Sequence, residues 1–179
     1  MRLFTTQELY KKAFMTLENT NLKSIPVDVF KLAMELKINI VKYKDADSEE
    51  LTDLLRFEDH KDAFSFFDFI GDEEEYFIYF DETLEPKAMR FAIAREIGRY
   101  LFIDYGDEDY EDIALEFTSL LLVPMVSLFF VEDLNIDLIM ETYNVSSVVA
   151  SEILELYNRR LTKYGTRLFE YEADTFMQY

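Results

Sequence analysis

Apolar residues fall at helical spacing from the start of the chain, where Leu9, Ala13 and Leu17 follow Thr5 and Glu8. Thr5 with Glu8 three positions later forms a capping-box pair, in which each side chain serves the other's backbone N–H, so a helix is predicted to about Glu18. Residues 19–23 break it. Ser24 and Pro26 open a second predicted helix, in which Val29, Leu32, Ala33 and Leu36 keep the i, i+3, i+4, i+7 pattern of one buried face. Ile38 to Tyr43 alternates apolar and polar residues and predicts a strand, and a short helix is expected around Leu51 to Phe57. Ala63 to Ile70 and Tyr76 to Phe80 are dense in Phe, Tyr and Ile. They read as a hairpin whose charged loop is Gly71-Asp72-Glu73-Glu74-Glu75.

A central helix is predicted from Lys87 to Phe102, with Phe91, Ala94, Ile97, Gly98 and Leu101 on one side. The acidic stretch Asp104 to Asp109 interrupts the pattern. A further helix from Tyr110 to Leu122 turns Ile113, Ala114, Phe117, Leu120 and Leu121 inward and stops before Pro124. Leu134 to Tyr143 and Ser146 to Lys163 read as two more helices, with Ser146 as an N-cap. No linker, repeat or low-complexity tract divides this order of helices, strands and helices, which predicts one α+β domain over 1–179, a small aromatic-rich sheet and hairpin packed against several helices. Residues 1–24 supply its N-terminal helix and 164–179 a C-terminal tail.

Composition narrows the function classes. Of 179 residues, 50% are hydrophobic and 16% aromatic with no Trp, enough to bury a core without a disulfide or structural metal. The 37 acidic residues against 18 basic ones leave a formal charge of −19. Such a surface repels phosphate, so no direct nucleic-acid binding and no membrane association are expected, whereas a basic protein partner fits. There is no Cys and His60 is the only histidine, which excludes thiolate zinc sites, a Cys nucleophile and any two-His site. Ser119 and Ser127 have no neighbouring histidine to activate them. The opening MRLFTTQELYKK lacks an apolar run after its charges, and no stretch reaches the ~18 uninterrupted apolar residues of a spanning helix. A soluble, cytoplasmic protein is expected.

The segment Arg90-Phe91-Ala92-Ile93-Ala94-Arg95-Glu96-Ile97-Gly98-Arg99-Tyr100-Leu101 resembles the metal-binding helix of the ImmA/IrrE family of zinc-dependent endopeptidases, which reads close to RFTIAHELGHYL. Ile25-Pro26-Val27-Asp28-Val29-Phe30 through Val41 resembles that family's N-terminal segment. Glu111-Asp112-Ile113-Ala114-Leu115-Glu116-Phe117-Thr118-Ser119-Leu120-Leu121-Leu122-Val123-Pro124 is similar to its E-x-x-A-N-x-F-A-x-x-L-L-M-P stretch, and Tyr143-Asn144-Val145-Ser146 to its trailing helix start. The resemblance covers about 25–155 and implies a zincin-like fold.

The departures carry the functional expectation. In a working H-E-x-x-H helix two imidazoles at i and i+4 hold zinc and the Glu polarises its water. Here both histidine positions are arginine, Arg95 and Arg99, whose guanidinium groups are donors without an acceptor and cannot ligate a cation. By the resemblance Glu96 stands at the general-base position and Glu111 at the third-ligand position. Two positive charges about 6 Å apart already repel by roughly 2.8 kcal/mol at an effective dielectric near 20, before a zinc ion is added. No cofactor and no metal are expected; an ion-pair cluster of Arg95, Arg99, Glu96 and Glu111 takes their place.

The resemblance therefore implies a catalytically inactive relative that binds a protein partner without cleaving it, since intact members recognise and cut helix-turn-helix repressors. The expected apolar contacts are Tyr76, Phe77 and Tyr79, with Asp72, Glu73, Glu74, Glu75, Asp107, Glu108 and Asp109 favouring a basic or nucleic-acid-binding partner. One rival is a residual metallopeptidase using Glu96, Glu111 and Asp107 around an oxygen-ligated metal. Another is an acidic nucleic-acid mimic that blocks a DNA-binding or defence enzyme. His60 reads as a solvated surface residue. Ser146 to Glu155, as the reading helix of a helix-turn-helix, lacks cations until Arg159 and Arg160, so packing is its expected role.

Overall fold

In the computed structural model, residues 4–20, 24–55, 62–70, 73–105 and 110–176 are described. In chain order the elements are α1 (Thr6–Asn19), α2 (Val29–Glu35), β1 (Ile38–Lys42), α3 (Ser48–Leu54), β2 (Ala63–Ile70), β3 (Glu73–Phe80), α4 (Pro86–Leu101), α5 (Ala114–Leu122), α6 (Ile136–Thr142), α7 (Ser147–Tyr164) and α8 (Glu170–Phe176). The architecture is α+β, with a small mixed sheet among helices. By its internal contacts the chain forms two compact units, Asp28–Ala114 and Met1–Val27 with Leu115–Tyr179. Among the described residues no helix is long and apolar enough to cross a membrane.

The Asp28–Ala114 unit is organised by its sheet, in the order β1-β3-β2, with β3 parallel to β1 and antiparallel to β2. The aromatic hairpin predicted from sequence is present, and its second strand begins at Glu73, so three of the five residues assigned to the loop belong to β3. Period-two alternation then sorts the side chains. Tyr76, Ile78 and Phe80 are buried on the face that α2 and α4 cover, while Phe77 and Tyr79 point the other way. On that second face Tyr79 stacks on Phe64 and Phe66, each at 5.4 Å between ring centroids, and Tyr43 closes on Phe64 at 5.8 Å.

Local signals set the helices of this unit. Asp28, not Ser24, caps α2: its Oδ1 accepts from Phe30 N at 3.0 Å and Lys31 N at 3.1 Å. The helix starts at Val29 because Pro26 biases the residue before it away from helical geometry, and Asp28 is the first side chain placed to satisfy two orphan N–H groups. Pro86 sits in the first turn of α4, where its missing N–H costs nothing. The helix is buried all round from Ala92 to Gly98, where Ile93 and Ile97 each contribute about 1.5–3 kcal/mol.

The second unit is helical. Its first helix has the capping box read from sequence: Thr5 N donates to Glu8 Oε2 at 2.7 Å and Glu8 N to Thr5 Oγ1 at 3.3 Å. Asn135 caps α6 and Ser146 caps α7. Gly165 ends α7 at φ 62°, ψ −149°, a conformation open essentially to glycine alone. The segment 164–179, read from sequence as a tail, carries α8 and the glutamate of a buried ion pair. Arg160 Nη1 and Nη2 donate to Glu172 Oε1 and Oε2 at 2.8 and 2.6 Å, and the Phe169 N–H donates to Oε2 at 2.6 Å. Tyr10 O–H donates to Glu172 Oε1. The guanidinium lies over the rings of Tyr10, Phe129 and Phe169 at 4.9, 4.8 and 4.3 Å. A seven-residue helix with no long periodic run gives little sequence signal, and the pairing joins residues on separate helices.

Burial and the neighbouring Glu172 carboxylate push the Tyr10 phenol well above its usual range. In the unfolded chain that group ionises near 10, so its contribution to stability is present below about pH 10 and is lost as pH rises further, by up to about 1.4 kcal/mol per pH unit. Urea denaturation between about pH 9 and 11 should show this fall, and Tyr10→Phe should make it shallower without abolishing it, since burial raises the Tyr143 and Tyr171 phenols as well. An unchanged slope in Tyr10→Phe would place the alkaline sensitivity elsewhere.

Candidate functional site

On α4, Arg95 and Arg99 are one helical turn apart and so share a face, with Glu96 beside them. Arg95 and Glu96 are buried, Glu96 to 1% exposure. A carboxylate this far from water needs a partner for each oxygen. Arg95 supplies one, donating to Glu96 Oε1 from Nη2 at 2.9 Å and from Nε at 3.2 Å. Glu96 Oε2 accepts from Arg99 Nε at 3.2 Å and from Ser65 Oγ at 2.6 Å. Arg99 then reaches outward, with Nη2 donating to Glu111 Oε1 at 2.6 Å. The result is a chain of alternating charge, Arg95–Glu96–Arg99–Glu111, running from the sheet side of α4 towards solvent.

The surrounding elements hold this chain in place. Arg95 Nη2 also donates to the Ala63 carbonyl at 3.3 Å, tying the guanidinium to β2. Tyr110 O–H donates to the Arg95 carbonyl at 2.6 Å, and the Arg99 guanidinium lies 5.6 Å from the Tyr110 ring centroid. Ser65 has one hydroxyl proton and directs it to Glu96, so in its 2.7 Å contact with Tyr76 the phenol is the donor. Tyr76, Ser65 and Glu96 therefore form one proton-ordered line from the sheet to the helix.

The four positions singled out on the Arg-Glu-x-x-Arg helix and at Glu111 are thus brought together. Of the other candidates, Tyr76 joins them through Ser65 and is only 3% exposed. Phe77 and Tyr79 lie on the opposite face of β3, away from α4. Glu73 and Glu74 are exposed at the start of β3, and Glu75 accepts from Asn39 Nδ2 at 2.6 Å. Asp72, Asp107, Glu108, Asp109 and His60 lie outside the described residues. Ser65 and Tyr110 were not singled out from sequence. The signal for Ser65 was present: it is the one hydroxyl in β2, on its Ala63-Ser65-Phe67 face, and a polar residue on a core-facing face implies a buried partner.

Chemically the arrangement is closed. Both oxygens of Glu96 accept hydrogen bonds, and the two arginines flanking it carry donors only. Among the described residues no group of three or more His, Asp or Glu side chains is placed to hold a metal ion. No family model matches the chain, and neither a curated protein nor a solved structure matches it.

The geometry ranks the carboxylates. Glu96→Ala leaves Arg95 and Arg99 facing each other with their buried counter-charge gone, and should lower stability by about 3–5 kcal/mol. The Glu111 side chain is 39% exposed, so Glu111→Ala should cost no more than about 1 kcal/mol. Denaturant midpoints of the two variants check this, and equal losses would mean that the outer pair is not solvent-screened.

Proposed function

We propose that the chain is a peptidase-like scaffold of the ImmA/IrrE kind in which an ion-pair chain replaces the metal, and that it acts in the cytoplasm by binding a protein partner without cleaving it. The observation that carries this reading is the Arg95–Glu96–Arg99–Glu111 chain itself. Each residue stands at a position that the resemblance assigns to metal chemistry, and each is committed to a neighbour. The glutamate at the general-base position is held by two cations and a hydroxyl, so its lone pairs are not offered to water. The same commitment weighs against the oxygen-ligated metallopeptidase, which needs Glu96 released. With −19 formal charges, the partner is a basic protein, such as a repressor or another nucleic-acid-binding regulator.

Metal analysis tests the scaffold. Protein purified without chelator should contain no stoichiometric zinc, whereas the double variant Arg95→His with Arg99→His recreates the two-imidazole spacing next to Glu111 and should take up ~1 zinc per chain. A double variant that folds but binds no zinc would overturn the zincin-like geometry. The binding role is tested by crosslinking in native cells: the recovered partner should be a basic protein at its full intact mass. A cleaved partner that becomes intact with Glu96→Gln would identify an enzyme.

A further inference from the structure

In the Asp28–Ala114 unit a cleft of about 750 Å³ opens where α2, the first residues of β1 and β3, and the end of α4 meet. Tyr76 and Tyr100, 4.9 Å apart between ring centroids, both line it. Its walls hold large apolar side chains that water reaches: Phe30 is 44% exposed, Met34 64% and Phe67 40%. Glu73, Glu74 and Glu75 follow one another along its rim, opposed by Lys37 alone among basic residues lining it. Apolar side chains left this open beside a run of carboxylates have the makeup of a recognition trough.

We propose that this cleft docks a cationic, apolar-studded segment of another protein. The proposal rests on the binding role given above and supplies the surface and the chemistry of the ligand. Charge complementarity selects the occupant. Three successive glutamates favour Lys or Arg at the rim, while Phe30, Met34 and Phe67 need aliphatic or aromatic side chains to cover them. A second copy of this chain, carrying the same −19, brings the wrong sign. Tyr76 also connects the floor of the cleft to Ser65 and Glu96, so the ion-pair chain holds rigid the strand on which the docked segment rests.

The test uses the full chain and a fluorescein-labelled Lys/Leu peptide of about twelve residues, with a Glu/Leu peptide as its opposite, read by fluorescence anisotropy. The Lys/Leu peptide should bind and the Glu/Leu peptide should not. Reversing Glu73 and Glu74 to Lys should weaken binding about tenfold or more, while reversing two exposed glutamates of the other unit, Glu132 and Glu141, should change it less than about threefold. Met34→Ser, on a side chain already mostly in water, should also weaken it about tenfold, and Phe67→Ser provides a second apolar arm. Equal weakening by the two charge-reversal pairs would reduce the effect to general attraction by an acidic protein and overturn the proposal. So would full affinity in both Met34→Ser and Phe67→Ser. A dimer in light scattering that Met34→Ser converts to monomer would make a second copy the occupant and overturn it too. Peptide binding requires no metal, so a failed zinc test with retained, cleft-specific binding removes the peptidase-like reading alone. Lost binding with a successful zinc test removes only the docking cleft.

Discussion

Glu96 is a carboxylate at 1% exposure in the middle of the central helix of its unit, and much of that unit is arranged around giving both of its oxygens partners. Desolvating a carboxylate costs several kcal/mol even after relaxation, and two guanidinium groups recover that only if the remaining donors and acceptors are met as well. Two are met from β2, by the Ser65 hydroxyl and the Ala63 carbonyl, while Tyr110, from beyond the end of α4, donates to the Arg95 backbone carbonyl. The ion pairs thus set how α4 lies on β2 and β3. Ala92, Ala94 and Gly98 flank the charged positions and are buried with them.

Much of this was legible along the chain and some was not, for reasons of range. Residues at i, i+1 and i+4 on one helix have fixed relations, so Arg95, Glu96 and Arg99 follow from α4, which periodicity places within one residue at each end. The capping box at Thr5 and the Ser146 cap are likewise local. The sheet order is not. The parallel pairing of β1 with β3 joins residues 38 apart, and no local pattern reports that β3 becomes the central strand. Ser65 and Tyr76 meet only through the register of β2 against β3, and Glu172 reaches Arg160 only after the chain reverses at Gly165.

The excess of carboxylates has a physical consequence inside the protein as well as on its surface. There are roughly two acidic residues for each basic one, and each unit contains a buried arginine paired with a carboxylate. The two differ in kind. Arg160–Glu172 is sealed, at 5% and 0% side-chain exposure, with aromatic rings around the guanidinium and a phenol and a backbone N–H on the carboxylate. Arg95–Glu96 instead continues through Arg99 to a half-exposed Glu111, so that its far end is screened by water.

That difference bears on what each pair contributes. A sealed pair can often be replaced by apolar side chains of similar volume without loss, because desolvation offsets most of its attraction; its presence is weak evidence for stability. The value of the Arg95–Glu96 pair lies in excluding alternatives. If α4 slid by one residue over the sheet, Ile97 would face Ser65 and Glu96 would face the Ala63 carbonyl, a buried carboxylate without its hydroxyl and against another acceptor. The penalty for such a slip is several kcal/mol, whereas a wholly apolar face would pay little. The Arg-Glu-x-x-Arg helix therefore fixes a register through charge, and the wall of the cleft beneath Tyr76 inherits that register.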